Sequence, residues 1–231
     1  MQRARVAAIL VAAGRGSRFG AGVRKQYQLL AGKPILYHTL ACFCTSPDVD
    51  CVVTVVPEGE SVEATQRING WPLARSPIGL EGGEERHHSV IKGLRAAPPE
   101  CEWIVVHDGV RPFVTHALIQ RVLEAARREG SAVAAVTPSD TIKTRVDQRV
   151  GETLERSRLA AVQTPQAFRR SILQQAYAAA ADEGRFSTDD AALVERLGFP
   201  VALVLGDPRN IKITNAIDLA IAGAIMEGWN Q

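Results

Sequence analysis

Five short apolar runs, Val6 to Ala12, Cys51 to Val56, Trp103 to His107, Ala132 to Thr137 and Val201 to Leu205, recur along the chain and constrain its fold more than any other feature. Each is short and rich in Val, Ile or Ala, as expected of a buried strand. Between and beyond them, Ile35 to Cys44, Glu60 to Asn69, Ser89 to Ala97, Thr115 to Glu129, Arg170 to Glu183, Asp189 to Leu197 and Ala216 to Glu227 carry apolar residues at helical spacing. This alternation predicts an α/β fold, a mostly parallel Rossmann-like sheet covered by helices on both faces. With 231 residues, 46% of them hydrophobic, the chain suffices for a single domain spanning 1–231.

Ligands of such sheets bind outside the carboxyl ends of the strands. Three post-strand segments therefore matter: the loop after Ala12, the HDGVRP segment from His107 to Pro112, and PSDTIK from Pro138 to Lys143. The first loop carries Arg15, Arg18, Arg24, Lys25 and Lys33 between Gly14 and Lys33, with no acid. Glycines admit a ligand close to the backbone and expose N–H groups, and the cations add full charge, so a polyphosphate is the natural guest. The glycine spacing of GRGSRFG fits a dinucleotide fingerprint only in part and lacks the GK[ST] ending of a P-loop. Arg18 and Lys25 together strengthen the reading, because two cations on one loop can bracket a triphosphate.

One stretch breaks the alternation. Thr141 to Val146 and Gly151 to Leu154 flank Asp147 to Val150, which predicts a protruding hairpin arm at about 139–156. A two-stranded arm is marginal alone, so a second copy of the chain is the expected support.

The net charge of +2 gives no general attraction for nucleic acid or membrane, and no run approaches a membrane span. Met1 to Arg5 leads into a strand without a signal-peptide pattern, and Cys42, Cys44, Cys51 and Cys101 show no metal spacing, so free thiols and a cytoplasmic location are expected. His87 and His88 are adjacent and cannot share a helix face, which argues against a metal pair. Ser187 to Asp190 reads as a helix N-cap and first turn.

The ordered motifs LVAAGRGSRFG, RKQYQLLAGKPIL, GGEERHHSV, HDGVRP, DTIK, TPQAF and NIKIT, running from about residue 6 to 220, resemble the 2-C-methyl-D-erythritol 4-phosphate cytidylyltransferase family. The AAGxGxR loop is common to many sugar nucleotidyltransferases, whereas KQY with HDxxRP and NIKxT is much more specific. The resemblance implies attack of a polyol 4-phosphate oxygen on the α-phosphorus of CTP, with Mg2+ carried by the CTP phosphates rather than by a protein site, within a homodimer. It assigns Arg18 and Lys25 to transition-state stabilisation, and Ala12, Ala13, Gly14, Arg15 and Gly16 to holding the nucleotide. Gly83, Glu84 and Ser89 would read cytosine and ribose. Asp108, which could otherwise be a turn former before Gly109, would join the pocket beside Arg111, contacting nucleotide and substrate. Arg156 and Lys212, with Thr141 and Thr164 nearby, would position the substrate's phosphate, and the arm would carry Arg156 and Thr164 into the neighbouring subunit's site. Three positions depart from the family pattern: Val11 and Arg24 where Pro is frequent, and Glu84 where Asp is common. A cytidylyltransferase for another polyol phosphate, such as ribitol 5-phosphate, and a nucleotide-binding module without catalysis are the competing readings.

Overall fold

The structure, a computed structural model, describes residues 3–14 and 24–229. In chain order its strands are β1 (Arg5–Val11), β2 (Leu29–Leu30), β3 (Lys33–Pro34), β4 (Cys51–Val56), β5 (Ile78–Glu81), β6 (Cys101–Asp108), β7 (Ser131–Val136), β8 (Lys143–Val146), β9 (Arg149–Thr153), β10 (Ala161–Arg169) and β11 (Ala202–Leu205). The helices are α1 (Ile35–Thr45), α2 (Ser61–Asn69), α3 (Arg86–Ala96), α4 (His116–Glu129), α5 (Arg170–Asp182), α6 (Ala191–Arg196) and α7 (Ala216–Glu227).

Among the described residues, seven strands form the central sheet in the order β11-β7-β10-β6-β1-β4-β5. All its pairings are parallel except those of β10, which runs antiparallel to both β6 and β7. The expected mostly parallel sheet is therefore present, with a reversed strand inserted, the unexpected β5 at one edge and β11 at the other, where Leu203 and Leu205 are exposed rather than buried as their run suggested. The period-2 alternation of β1 divides the core: Val6, Ala8 and Leu10 pack with α1, α2 and α4, while Ala7 and Ile9 pack with α3, α5 and α6. A smaller cluster around Ile35, Phe113 and Ile213 seats α7.

β10 was not expected, because its polar residues and Pro165 read poorly as a central strand. The sheet accommodates the proline by breaking register between Val162 and Gln166, and pairing with β6 begins only at Gln166. Residues 163–165 thus lie outside the ladder, beside the end of β6. α3 begins at Arg86, three residues before the helical pattern expected from Ser89, which makes Arg86 part of its first turn. Its far end is tied down by Arg170, whose guanidinium donates to the carbonyls of Leu94, Ala97, Pro98 and Cys101.

The hairpin is formed by β8 and β9, and its turn is tighter than expected. Asp147 takes a positive φ of 53°, so the strands are separated only by Asp147 and Gln148 rather than by residues 147–150. Val146 and Val150 are exposed, and the arm forms its own two-stranded sheet.

Candidate active site

Parallel register brings the carboxyl ends of β1, β4 and β6 to one edge, with Val11 level with Val55 and Asp108. At this edge β1 passes into Ala12, Ala13 and Gly14, and the Ala12 N–H donates to Val55 O at 2.8 Å. Opposite, the segment after β5 comes so close that a Cβ on Gly82 would lie 2.5 Å from Ala13 Cβ and 2.6 Å from Ser89 Oγ. Only glycine fits this approach.

A cleft of about 580 Å³ opens between these segments, bordered by Ala12 to Gly14, Lys25, Gly83 to Arg86, Ser89, Asp108 and Lys212. Ser89 accepts a hydrogen bond from the Gly83 N–H and donates to Glu85 O, so the residue also secures the loop it belongs to. Gln26 follows Lys25 in a short 3-10 turn and is 1% exposed, yet neither atom of its amide has a partner among the described residues. That amide is available to a group bound in the cleft.

A second pocket, also of about 580 Å³, adjoins the first and is bordered by Arg111, Gln163, Thr164, Thr188 and Asp189. Arg86, Asp108 and Lys212 border both pockets and form the wall between them. Phe186, stacked on His87 with ring centroids 3.8 Å apart, pins the segment that delivers Thr188 and Asp189. The His87 and His88 rings lie 4.1 Å apart, closer than their adjacency in sequence suggested, but serve this packing.

Asp108 is the electrostatic centre. Its Oδ2 lies 3.0 Å from Lys212 Nζ and 3.4 Å from Arg111 Nε, while its Oδ1 lies 3.6 Å from Arg86 Nε. Burial would raise its pKa, but Lys212, Arg86 and Arg111 outweigh burial and hold the carboxyl well below the usual range. Arg111 is fixed in turn by donation to Asn210 O at 2.7 Å, and Asn210 Nδ2 donates to Thr164 O at 2.8 Å.

Behind Asp108, His107 is fully buried, and desolvation pushes its pKa down to about 3. A neutral ring carries one N–H, and Nε2 faces the carbonyl of Arg111, an acceptor. Nε2 therefore bears the proton and Nδ1 accepts from the Thr164 hydroxyl at 2.9 Å. The Thr164 oxygen accepts the Asp108 N–H at 3.1 Å. The backbone of Asp108 is thus held by a directional chain running to Arg111.

The structure brings together most residues singled out in the sequence. Ala12, Ala13, Gly14, Lys25, Gly83, Glu84, Ser89, Asp108 and Lys212 border the first pocket, and Asp108, Arg111, Thr164 and Lys212 border the second. Arg15, Gly16 and Arg18 lie outside the described residues. Thr164 corrects the expectation that it completes a neighbour's site, since its hydroxyl is engaged by His107 and Asp108 of its own chain. The break in β10 turns it inward. Arg156 and Thr141 belong to the arm region and border neither pocket, and Arg156 Nη1 donates to Ser139 O at 3.0 Å. The sequence reading missed Arg86 and Gln163, and it took Asp190 for a helix cap. Asp190 does stand at the N-cap position of α6, but its side chain makes no capping hydrogen bond there and is fully buried, with Arg86 Nη2 at 2.8 Å and the Tyr177 hydroxyl donating to its other oxygen. The arginine in GGEERHHSV, three residues before Ser89, was the available signal.

A mostly parallel α/β sheet with a cation-lined double cleft at its carboxyl edge, entered by a small-residue loop after the first strand, defines a nucleotidyltransferase. The chain belongs to the 2-C-methyl-D-erythritol 4-phosphate cytidylyltransferase family, whose model matches residues 6–228. Proteins of that name from Geotalea uraniireducens and Alkaliphilus metalliredigens are each 45% identical to it, covering 98% and 96% of this chain and 99% and 93% of their own. The solved 4-diphosphocytidyl-2C-methyl-D-erythritol synthase from Anaerococcus prevotii superposes with a TM-score of 0.84 at 27% identity over 96% of both chains. That of the 2-C-methyl-D-erythritol 4-phosphate cytidylyltransferase from Thermus thermophilus superposes with a TM-score of 0.77 at 35% identity, covering 95% of this chain and 98% of the other.

Proposed function

We propose that this protein transfers CMP from CTP to 2-C-methyl-D-erythritol 4-phosphate in isoprenoid precursor synthesis. The carrying observation is the pair of adjoining pockets with Arg86, Asp108 and Lys212 in their common wall. One pocket takes the nucleotide and the other the phosphorylated polyol. A 4-phosphate oxygen forms a bond to the α-phosphorus, the bond from that phosphorus to the bridging oxygen breaks, and pyrophosphate leaves. The product is 4-diphosphocytidyl-2-C-methyl-D-erythritol. No covalent enzyme intermediate is required, because the nucleophile is already an anion. The enzyme's task is to hold two anions against their repulsion and to neutralise the transition state.

Lys25 and Arg18 stabilise the charge that develops on the triphosphate, and the backbone from Ala12 to Gly16 holds its phosphates. Gly83, Glu84 and Ser89 engage the cytidine. Asp108 orients a substrate hydroxyl while keeping Lys212 and Arg111 directed at the incoming phosphate. Both Asp108 oxygens face cations, Lys212 and Arg111 at one and Arg86 at the other. These residues suit magnesium brought as part of the CTP complex. Thr141 and Arg156 act from the arm, reaching the second pocket of another copy of the chain, so the working form is a homodimer. No helix among the described residues is long and apolar enough to cross a membrane, and the enzyme acts in the cytoplasm.

Pyrophosphate release measured with CTP and magnesium, using 2-C-methyl-D-erythritol 4-phosphate or ribitol 5-phosphate, tests this assignment. Preference for the former by kcat/KM is expected. Preference for ribitol 5-phosphate, or no release with either, refutes it.

A further inference from the structure

Arg86 is held from behind. Its Nη2 lies 2.8 Å from Asp190 Oδ2, its Nε lies 3.6 Å from Asp108 Oδ1, and Tyr177 on α5 donates to the remaining Asp190 oxygen. Asp190 is fully buried and the Arg86 side chain only 24% exposed. The two oxygens of Asp108 have separate custodians: Lys212 and Arg111 share Oδ2, and Arg86 faces Oδ1. The rotation of this carboxylate, and with it the direction in which Lys212 points, depends on where the Arg86 guanidinium sits. A tie between α3 and α6 needs only one end of Arg86. The other end is directed into the wall between the two pockets.

We propose that Arg86 is a positioning residue for cytidylyl transfer, with the buried Asp190–Tyr177 pair setting its guanidinium so that Asp108 and Lys212 face the attacking phosphate. This rests on the reading of the two pockets given above. A planar guanidinium spans two carboxylates at once, through Nη2 on one side and Nε on the other, which the point charge of a lysine cannot do. Asp190 also draws Arg86 away from Asp108. Without that pull the guanidinium closes on Asp108 and competes with Lys212 for it.

The test uses the full-length protein and its Asp190→Asn, Tyr177→Phe and Arg86→Lys variants, compared by steady-state kinetics on both substrates, thermal unfolding, and crystal structures of wild type and Asp190→Asn. In Asp190→Asn, kcat falls by about 10- to 100-fold while the KM for CTP changes by less than about threefold, because misplaced attacking groups cost rate rather than nucleotide binding. Tyr177→Phe, which removes one hydroxyl, lowers kcat in the same direction by about 3- to 10-fold. Arg86→Lys keeps the charge but does not restore kcat. In the Asp190→Asn crystal the Arg86–Asp108 separation shortens and the Asp108–Lys212 separation lengthens. Variants that unfold at lower temperature yet turn over like wild type assign Arg86 a purely structural role and overturn the proposal, as does a near-wild-type kcat for Arg86→Lys. If wild type turns over neither polyol phosphate, the reading of the pockets fails. The Asp108 position in the two crystals then decides the Arg86 assignment alone, and an unmoved Asp108 overturns it.

Discussion

Replacing Thr164 with valine removes one hydroxyl from the middle of the chain that joins Asp108 to Arg111. Val matches Thr in shape, and the site is 4% exposed, so water cannot take over its hydrogen bonds. Two partners are orphaned, the Asp108 N–H and His107 Nδ1. A buried polar group left unpaired costs about 1–3 kcal/mol. The added methyl returns about 0.8 kcal/mol. Over the two groups the net loss is about 1–5 kcal/mol, which for a chain of this length lowers Tm by roughly 2–20 °C. Calorimetric unfolding and urea titration measure it directly. Thr164→Ser keeps the hydroxyl and should lose only about 1 kcal/mol, the transfer value of the missing methyl. Because the freed backbone carries Asp108, kcat/KM should fall about tenfold in Thr164→Val, equivalent to about 1.4 kcal/mol of transition-state stabilisation. A Thr164→Val stability within about 0.5 kcal/mol of wild type, or a Thr164→Ser loss as large as that of Thr164→Val, refutes the structural role given to the Thr164 hydroxyl.

His107 predicts a pH dependence. Its folded pKa, about 3, lies below the ordinary 6.5, so the unfolded chain binds the extra proton between those values. Its stabilising contribution is complete above pH 6.5 and drains away as pH falls through that window; urea midpoints that stay level or rise from pH 7 to pH 4 contradict this. Arg170→Met strips four carbonyls at the end of α3 of their donor and should cost about 2–4 kcal/mol in urea unfolding while leaving the KM for CTP unchanged. A loss below about 0.5 kcal/mol shows that water replaces it. Lys25→Ala should abolish measurable turnover with an unchanged circular dichroism spectrum, and near-normal rates exclude its role at the triphosphate. Arg156→Ala should raise the KM for the polyol phosphate far more than that for CTP, and equal changes in both refute its placement at the second pocket.

The parallel framework was legible because strands buried on both faces have no polar phase, and their runs stand out in any window. β10 was not, since Pro165 and the polar Gln163, Thr164 and Gln166 give it the look of a loop. Its pairing arises from residues distant in the chain, as the partners of Gln166, Val133 on one side and Val106 on the other, show. The inward turn of Thr164 was unreadable for the same reason.

Within the site, Lys25, Asp108, Arg111 and Lys212 could be picked out because each follows or borders a strand end, and parallel strands must place those ends along one edge. Arg86, Asp190 and Tyr177 could not. Residues 86 and 190 are separated by 104 positions, and a buried aspartate at the start of α6 carries the same local signature as a helix cap. The amino-acid sequence by itself thus determined the parallel core of the sheet, its functional edge and the positive charge gathered there, because these follow from local polarity and strand direction. Tertiary packing determined which oxygen of Asp108 meets which cation and on which side of the wall Thr164 stands, because such contacts exist only once α3, α5, α6 and β10 meet around the end of β6.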